Sequence, residues 1–188
     1  MKTLGVVLAG GKSSRMGCDK ALLQIDGQTL LERATATLAP HCEQVVVSGR
    51  MTEGLLSIPD THPGDGPMGG LATIAEALDM HFPQVETVLL APCDMPFVPS
   101  EAYRILLDVL QGDPTLLVAV ATNGTREFPL TAAYRREGLQ RMAASYATGN
   151  HRVFRALQTL LWQRVALAEA WLVNINTPEV YRKALASE

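Results

Sequence analysis

Two adjacent glycines stand among basic and hydroxyl side chains in the segment 8–20, LAGGKSSRMGCDK, directly after a short apolar run. Because Gly10 and Gly11 lack Cβ atoms, the backbone can turn sharply there and present consecutive N–H groups to a base edge or to phosphate oxygens. Arg15 can bind two phosphate oxygens at once, and Lys20 supplies a flexible point charge. The residue types and their spacing predict a site for a phosphate-bearing ligand.

The P-loop and dinucleotide-binding motifs both fail to match this segment. Gly11 fits the second glycine of the P-loop pattern, but the first would then fall at Val6, and Gly5 comes one residue too early. In the dinucleotide pattern G-x-G-x-x-G two glycines are separated by one residue, whereas Gly10 and Gly11 are adjacent and Gly17 lies too far along the chain. On the residues alone, a glycine turn with solvated basic side chains remains the alternative.

One carboxylate, Asp94, follows the buried-looking run TVLLAP and precedes Pro96 and Pro99. A side chain at the carboxyl end of a parallel strand opens into the crevice where ligands bind, and the prolines restrict the loop that holds it. A single carboxylate is sufficient for Mg²⁺, because the ion keeps several waters and takes other ligands from substrate phosphates. The alternative is a helix cap or turn residue.

A glycine-rich stretch and an asparagine pair offer further ligand contacts. The stretch GDGPMGGL, residues 64–71, includes Gly69 and either lets the backbone approach ribose or phosphate or makes a turn with tight helix packing. Asn174 and Asn176 flank Ile175, so both side chains point to the same side of an extended segment and offer amide groups to a polar ring system. Alternatively, they hydrogen-bond the turn before the last helix.

Short apolar runs alternate with amphipathic stretches over the first two thirds of the chain. The runs are apolar on both faces, as central strands of a parallel sheet are, and they cover residues 4–9, 43–48, 55–59, 86–92 and 115–121. Apolar stripes at helical spacing lie between them, at residues 29–38, 68–80 and 100–110. The alternation predicts an α/β fold with βαβ units and a mainly parallel sheet.

The last third of the chain is less regular. We predict strands at 128–135 and 171–175, and helices at 136–147 and 152–161. A final helix is predicted after Thr177 as N-cap, with Pro178 in its first turn and Glu179 favourable to the helix dipole.

Length and composition exclude several classes of protein. The 188 residues are 47% hydrophobic and 19% charged, which predicts one domain with a sizeable core and excludes a disordered chain. The net charge of −3 provides no general field for nucleic acid, although both ends are basic and the middle is acidic. The apolar runs are too short to cross a bilayer, so we expect a cytoplasmic protein without a membrane partner.

The cysteines and histidines indicate no metal or disulfide chemistry. Cys18, Cys42 and Cys93 are odd in number, far apart and without a CxxC pattern, which predicts neither a disulfide framework nor a zinc site. The four histidines show no spacing typical of metal ligands, and we interpret them as ordinary surface or loop residues.

The segment 8–20 resembles the LAGGxSxRMGxDK signature of the molybdenum cofactor guanylyltransferases. Three further segments are similar to motifs of that family in the same order: GPMGGL at 66–71 to GPLAG, PCDMP at 92–96 to PCDxP, and NINTPE at 174–179 to NxNTPE. The resemblance implies the Rossmann-like three-layer nucleotide-diphospho-sugar transferase fold. It also implies one nucleotidyltransferase domain over 1–188, with a nucleotide-binding part at 1–125 and a part contributing to the molybdopterin site at 126–188.

The resemblance further implies Mg²⁺-dependent transfer of GMP from GTP to the phosphate of the molybdenum–molybdopterin cofactor, with release of pyrophosphate. We expect Arg15, Lys20 and Asp94 to be catalytic and Asp94 to hold the metal. The implied nucleotide-binding residues are Leu8, Ala9, Gly10, Gly11, Lys20, Ser48, Asp60, Gly69 and Asp94. The implied second-substrate residues are Arg152, Asn174 and Asn176. We expect a monomer that works with molybdenum-cofactor biosynthesis proteins and apo-molybdoenzymes.

Two positions depart from the family pattern, and three alternatives stay open. Ser48 stands where relatives often have Asn, and Phe128-Pro129 stands where a His-Pro pair is expected. A hydroxyl offers fewer hydrogen bonds than an amide, so an altered base preference or an altered second-substrate pocket stays an open alternative.

The alternative functions are those of a relative that uses CTP, a small sugar-nucleotide pyrophosphorylase, and a non-catalytic nucleotide-binding adaptor.

Overall fold

Seven strands form the central sheet in the computed structural model, which describes residues 2–10 and 19–186. A two-stranded hairpin lies outside this sheet. In chain order the strands are β1 (Lys2–Leu8), β2 (Gln24–Ile25), β3 (Gln28–Thr29), β4 (Gln44–Ser48), β5 (Ser57–Ile58), β6 (Val85–Pro92), β7 (Val118–Thr122), β8 (Glu127–Arg135) and β9 (Trp162–Ala166). The helices are α1 (Leu30–Leu38), α2 (Gly66–His81), α3 (Ser100–Gly112), α4 (Arg136–Ala147), α5 (Val153–Leu157) and α6 (Pro178–Ala186).

The sheet order β5-β4-β1-β6-β8-β7-β9 brings three carboxyl strand ends to one edge. Every neighbouring pair is parallel except the two pairs that involve β8, which runs against β6 and β7. Leu8 is in register with Ser48 of β4 and with Pro92 of β6. The residues that follow these strands therefore face one another across a short edge.

The helices cover both faces of the sheet, because each central strand is apolar on both sides. One buried cluster joins α2, α4 and α5 to one face, and Met68, Leu78 and Met142 are among its members. A second cluster joins α1 and α3 to the other face through residues such as Leu38 and Leu106. The predicted three-layer α/β fold with a mainly parallel sheet is confirmed.

Local sequence signals account for the helix starts near the site. Thr29 and Glu32 form a capping box on α1, in which the Glu32 N–H donates to Thr29 Oγ1 at 3.1 Å and the Thr29 N–H donates to Glu32 Oε2 at 2.7 Å. Before α6, Thr177 Oγ1 accepts a hydrogen bond from the Val180 N–H at 3.3 Å, as an N-cap does.

Between residues 152 and 175 the predicted helix is too long and the predicted strand is wrong. The helix ends at Leu157 rather than 161, and the chain then enters β9, an edge strand whose single buried residue, Val165, gave little signal. The predicted strand 171–175 is absent: residues Glu169–Leu172 form a 3₁₀ helix. Ile175 is fully buried, and its N–H donates to the Asp94 carbonyl at 2.8 Å instead of joining a strand ladder.

The predicted strand 55–59 contains only the two residues of β5, and the hairpin β2–β3 was not predicted. No helix in the described ranges has the length and apolar content needed to cross a bilayer.

Candidate active site

Two adjoining cavities lie at the carboxyl edge of the sheet. The smaller has a volume of about 250 Å³ and the larger about 580 Å³, which is within the ~300–1,000 Å³ typical of ligand pockets. Leu8, Gly10 and Leu130 line both and form their common wall. The two cavities therefore offer adjacent compartments for a ligand that extends along the edge.

The smaller cavity brings Lys20 and Asp94 together. Lys20 Nζ lies 3.6 Å from Asp94 Oδ2 and donates a hydrogen bond to Asn176 Oδ1 at 2.7 Å. The Lys20 and Asp94 side chains are 19% and 23% exposed, so both groups are partly shielded but open to the cavity. Three residues from distant parts of the sequence thus meet at one point.

Burial raises the pKa of the Asp94 carboxyl above its ordinary value, while Lys20 and the side chain of Asn174 act in the opposite direction. The backbone is fixed here as well, since the Cys93 N–H donates to the Leu8 carbonyl at 3.1 Å. A carboxylate that is costly to keep charged in the protein is stabilised by a cation, whether from Lys20 or from a bound metal.

The donor set around Asp94 fits a magnesium ion. The amide nitrogen of Asn174 donates to the Asp94 carboxylate, and the Asn174 Oδ1 atom is buried without a hydrogen-bond partner. Carboxylate and amide oxygens are hard ligands of the kind Mg²⁺ prefers, and substrate phosphates and water supply the rest. No group of three or more His, Cys, Asp or Glu residues suited to a metal occurs in the described part of the chain.

Burial raises the pKa of the neighbouring Cys93 thiol to about 12. Cys93 is therefore a neutral, weakly reactive group at ordinary pH, although it lines the smaller cavity.

Gly10 and Gly49 pack backbone against backbone where β1 and β4 end. A Cβ atom on Gly49 would lie 2.5 Å from the Cα of Gly10, and Gly49 has a φ of +89°. The Ala9 N–H donates to the Ser48 carbonyl at 3.0 Å, which keeps the two segments side by side. Only glycine at position 49 permits this approach, and the contact fixes Gly10 at the junction of the two cavities.

The larger cavity is lined by Ser48, Asp60 and the glycine-rich stretch. Ser48 is 4% exposed, and the Asp60 carboxylate accepts hydrogen bonds from the His62 N–H at 3.0 Å and from Thr73 Oγ1 at 3.2 Å. Asp60 thereby ties the loop before α2 to the helix itself. Of the four glycines in the stretch, Gly64, Gly66 and Gly70 line the cavity, whereas Gly69 is packed against the His62 carbonyl.

Several predicted site residues are not part of this cluster. Gly11 and Arg15 lie outside the described residues. Arg152 lines neither cavity, and its N–H donates to Asn150 Oδ1 at 3.1 Å. Arg152 precedes α5, which packs on one face of the sheet. Leu172, two residues before Asn174, packs on the opposite face. Phe128 also lines neither cavity and instead lies under the Arg126 guanidinium, 5.3 Å from its ring centroid.

The structure adds residues that the sequence analysis missed. Leu130 forms the common wall of the cavities, and the only sequence signal for it was its place within the predicted strand 128–135. Arg50 reaches Asp19, the residue before Lys20, at 2.8 Å. A charged side chain two residues after a strand end was the available signal for Arg50.

Comparison with known proteins matches this chain to one family over most of its length. The model of the MobA-like NTP transferase domain family matches residues 5–181. The molybdenum cofactor guanylyltransferase of Xanthomonas euvesicatoria pv. vesicatoria is 39% identical over 187 residues, covering 96% of this chain and 93% of that protein.

Two crystal structures show the same fold. Molybdopterin-guanine dinucleotide biosynthesis protein A from Archaeoglobus fulgidus superposes with a TM-score of 0.78 at 21% identity, covering 98% of this chain and 97% of that chain. The 2-C-methyl-D-erythritol 4-phosphate cytidylyltransferase from Thermus thermophilus has a TM-score of 0.74 at 20% identity, covering 100% and 98% of the two chains. Proteins named for different nucleotides share this architecture, so the fold alone does not select the base.

The family model spans most of the sequence, and the Xanthomonas relative aligns over nearly all of both chains. The chain therefore belongs to the MobA-like NTP transferase family and is a nucleotidyltransferase.

Proposed function

We propose that this nucleotidyltransferase transfers GMP from GTP to the terminal phosphate of a molybdopterin cofactor and releases pyrophosphate. The observation that carries the proposal is the meeting of Lys20 and Asp94, 3.6 Å apart, beside a cavity large enough for a nucleoside. The name of the Xanthomonas relative supports both substrates. The proposed setting is a cytoplasmic monomer that exchanges its cofactor with other molybdenum-cofactor proteins and apo-molybdoenzymes.

In this proposal the larger cavity binds the nucleoside and the smaller cavity binds the phosphates. The backbone of Leu8, Ala9 and Gly10 runs along the cavities. Because the Ala9 N–H donates to the Ser48 carbonyl and the Leu8 carbonyl accepts from the Cys93 N–H, the backbone of Gly10 is the part proposed to contact the base and ribose. Ser48 and Asp60 face the nucleoside compartment. Gly64, Gly66 and Gly70, rather than Gly69, are the glycines of the stretch proposed to approach the ligand.

Lys20 supplies positive charge to the phosphates of the nucleotide and to the leaving pyrophosphate. Phosphoryl-type transfer depends mainly on positioning and charge neutralisation, so a fixed cation at this point contributes directly to rate. Asn176 holds the ammonium group in place by accepting its hydrogen bond at 2.7 Å. Arg15, in the same segment of sequence, is proposed to act on the same phosphates.

Asp94 would hold Mg²⁺, with water and substrate phosphates as its other ligands. When bound, the ion supplies Lewis-acid neutralisation of phosphate oxygens. The attacking phosphate oxygen is already anionic near neutral pH, so the protein needs no general base for this step. Asn174 and Asn176, which line neither cavity, are the proposed contacts for the acceptor, and Arg152 remains a proposed contact for the acceptor phosphate.

A relative that uses CTP is the main alternative, because the Thermus cytidylyltransferase has the same fold. A sugar-nucleotide pyrophosphorylase and a nucleotide-binding adaptor are the others. The adaptor predicts nucleotide binding without release of pyrophosphate.

The decisive experiment measures pyrophosphate release from GTP, ATP, CTP and UTP, with and without molybdopterin and with and without Mg²⁺. We expect release only with GTP, molybdopterin and Mg²⁺ together, accompanied by a product that contains GMP. Release with CTP in place of GTP would transfer the assignment to a cytidylyl enzyme. Nucleotide binding without release under any combination would support the adaptor.

A further inference from the structure

Asp19 occupies a central position between Lys20 and a residue of the β4–β5 connection. Its carboxylate lies on Arg50 Nη1, with one oxygen at 2.9 Å and the other at 2.8 Å. Asp19 Oδ1 also accepts a hydrogen bond from the Ala21 N–H at 3.1 Å, and thereby caps the 3₁₀ helix Lys20–Leu22. Since this helix begins with Lys20, the orientation of Asp19 determines where the Lys20 side chain starts.

Arg50 is itself firmly placed on the edge of the sheet. It follows Gly49, whose backbone packs against Gly10 and whose N–H donates to the Ile58 carbonyl at 3.1 Å. Gly10 and Asp19, the described residues on either side of positions 11–18, therefore contact the consecutive residues Gly49 and Arg50. Gly10 and Asp19 are therefore both held by the residues that directly follow β4.

The Arg50–Asp19 pair is too exposed to contribute much to the stability of the fold. The Arg50 side chain is 23% exposed and the Asp19 side chain 44%, and ion pairs of this kind add little to the free energy of unfolding. The geometry of the pair is more informative: one guanidinium nitrogen contacts both carboxylate oxygens while one of those oxygens caps the next turn. These contacts fix the orientation of the Asp19 carboxylate relative to the turn that it caps.

We propose that Arg50 is a positioning residue that acts through Asp19 to hold Lys20 against Asp94. The proposal rests on the proposed function for its kinetic test, but not for its structural one. Arg50 places the carboxylate of Asp19, Asp19 sets the first turn of the helix Lys20–Leu22, and the turn directs the Lys20 ammonium to Asp94 and Asn176.

The first test is a double-mutant cycle on guanylyl transfer. We expect Arg50→Gln and Asp19→Asn each to lower kcat/KM by roughly ten- to a hundredfold, mostly in kcat, because a displacement of about 1 Å at a reacting group has effects of that order. Because both changes break one chain of contacts, the double variant should be no worse than either single variant. Additive losses, or a normal Asp19→Asn enzyme beside an impaired Arg50→Gln enzyme, would show that Arg50 acts on the ligand directly and overturn the proposal.

Arg33→Gln is a matched control. Arg33 pairs with Asp26 at 3.1 Å and is 22% exposed, close to the 23% of Arg50, and the Nε atoms of both arginines are buried without a partner. Its pair joins α1 to the hairpin instead of reaching Lys20. Arg33→Gln should retain kcat/KM within about twofold. A loss equal to that of Arg50→Gln would mean that removal of any such ion pair lowers activity, and it would overturn the positioning role of Arg50.

The second test reads the position of Lys20 without any substrate. The chain has only four lysines, so the ¹³Cε signal of Lys20 can be assigned by labelled-lysine NMR with a Lys20→Arg variant. We expect Arg50→Gln and Asp19→Asn to move this signal in the same way, and Arg33→Gln to leave it in place. An unmoved Lys20 signal would overturn the positioning role even if guanylyl transfer is observed, and a moved signal would support it even if the substrate is another nucleotide.

If Arg50→Gln lowers Tm by more than Arg33→Gln does, Arg50→Lys, which keeps a cation near Asp19, replaces it in both tests. Partial recovery of the Lys20 signal and of kcat then supports the proposal. A folded Arg50→Lys enzyme as impaired as Arg50→Gln, with an undisturbed Lys20 signal, contradicts it.

Discussion

The ammonium group of Lys20 lies 3.6 Å from the carboxylate of Asp94, where the chain leaves β6 at the carboxyl edge of the sheet. The same ammonium donates to Asn176, which is 156 positions away in the sequence. Three segments thus converge on one cation, and each segment belongs to a different part of the fold. This convergence is the physical basis of the proposed transfer reaction.

Replacing Asp94 with Asn should stabilise the metal-free protein at neutral pH. Burial raises the pKa of Asp94, so the folded state holds the charged carboxylate less favourably than the unfolded chain does. The variant should therefore have a higher Tm than the parent in buffer with a chelator, while pyrophosphate release is abolished. Thermal unfolding and turnover measured on the same preparations check both parts.

The gain from Asp94→Asn should disappear in acid. Because the folded pKa is raised, the neutral carboxyl is favoured in the fold; the penalty is absent below the ordinary pKa of Asp and develops as pH rises through the folded pKa. The Tm difference between the two proteins should shrink as pH falls from neutral towards the ordinary pKa of Asp, about 4. A difference that grows in acid would mean that Asp94 is stabilised as an anion by its partners.

Replacing Lys20 with Met should lower kcat by on the order of 10²-fold, the cost of losing one fixed group that stabilises developing charge. Met keeps most of the volume of the side chain, so the cavity wall should survive. Steady-state pyrophosphate release measures the effect. Lys2→Met, at an exposed position of β1, should be unaffected and serves as the control. Equal rates for parent and Lys20→Met would remove Lys20 from the mechanism.

Gly49→Ala should destabilise the protein more than Gly54→Ala. Both glycines have positive φ, +89° and +77°, so each alanine costs about 1–2 kcal/mol of backbone strain. Nothing lies within 4 Å of a Cβ on Gly54, whereas a Cβ on Gly49 would meet Gly10 Cα at 2.5 Å. Urea unfolding should give a larger loss for Gly49→Ala, together with weaker nucleotide binding, and equal losses would show that the contact relaxes at no cost.

Tyr146 should stay neutral in mild alkali. Its hydroxyl donates to Asp65, and this bond raises the pKa of the phenol to about 12. The neutral form is favoured in the fold, so the contribution is present below the ordinary pKa of Tyr and is lost as pH rises towards 12. With four tyrosines in the chain, ¹³Cζ-tyrosine NMR just above the ordinary pKa of Tyr can follow Tyr146, and Asp65→Asn should leave it partly ionised.

The hydrogen bond between Tyr146 and Asp65 belongs to a cluster of aromatic and charged side chains that the sequence did not predict. The ring of Tyr146 packs between His62 and His151, with centroids 4.9 and 5.2 Å away. His62 also pairs with Glu76 at 2.8 Å. The histidines interpreted as ordinary loop residues thus connect the loop before α2 with α4, which no spacing along the chain could indicate.

The strands that position the site were predictable because they are apolar on both faces and bounded by glycine and proline. Residues 152–175 were not, because an edge strand and a 3₁₀ turn with one buried residue each leave no periodic pattern. The buried Ile175 belongs to a segment that is held by tertiary hydrogen bonds to Asp94 and Lys20, and such bonds have no signature in the sequence.

The sequence by itself determined the α/β architecture and the motif residues of a nucleotidyltransferase, because these depend on local periodicity and on residue type. The tertiary structure alone decided that Lys20 faces Asp94 and Asn176, that Gly70 rather than Gly69 lines the cavity, and that Arg152 lies apart from both cavities. The physical reason is that side-chain orientation is set by packing between segments that are distant in sequence. Such packing depends on shape and burial across the whole fold, and one linear sequence records it only indirectly.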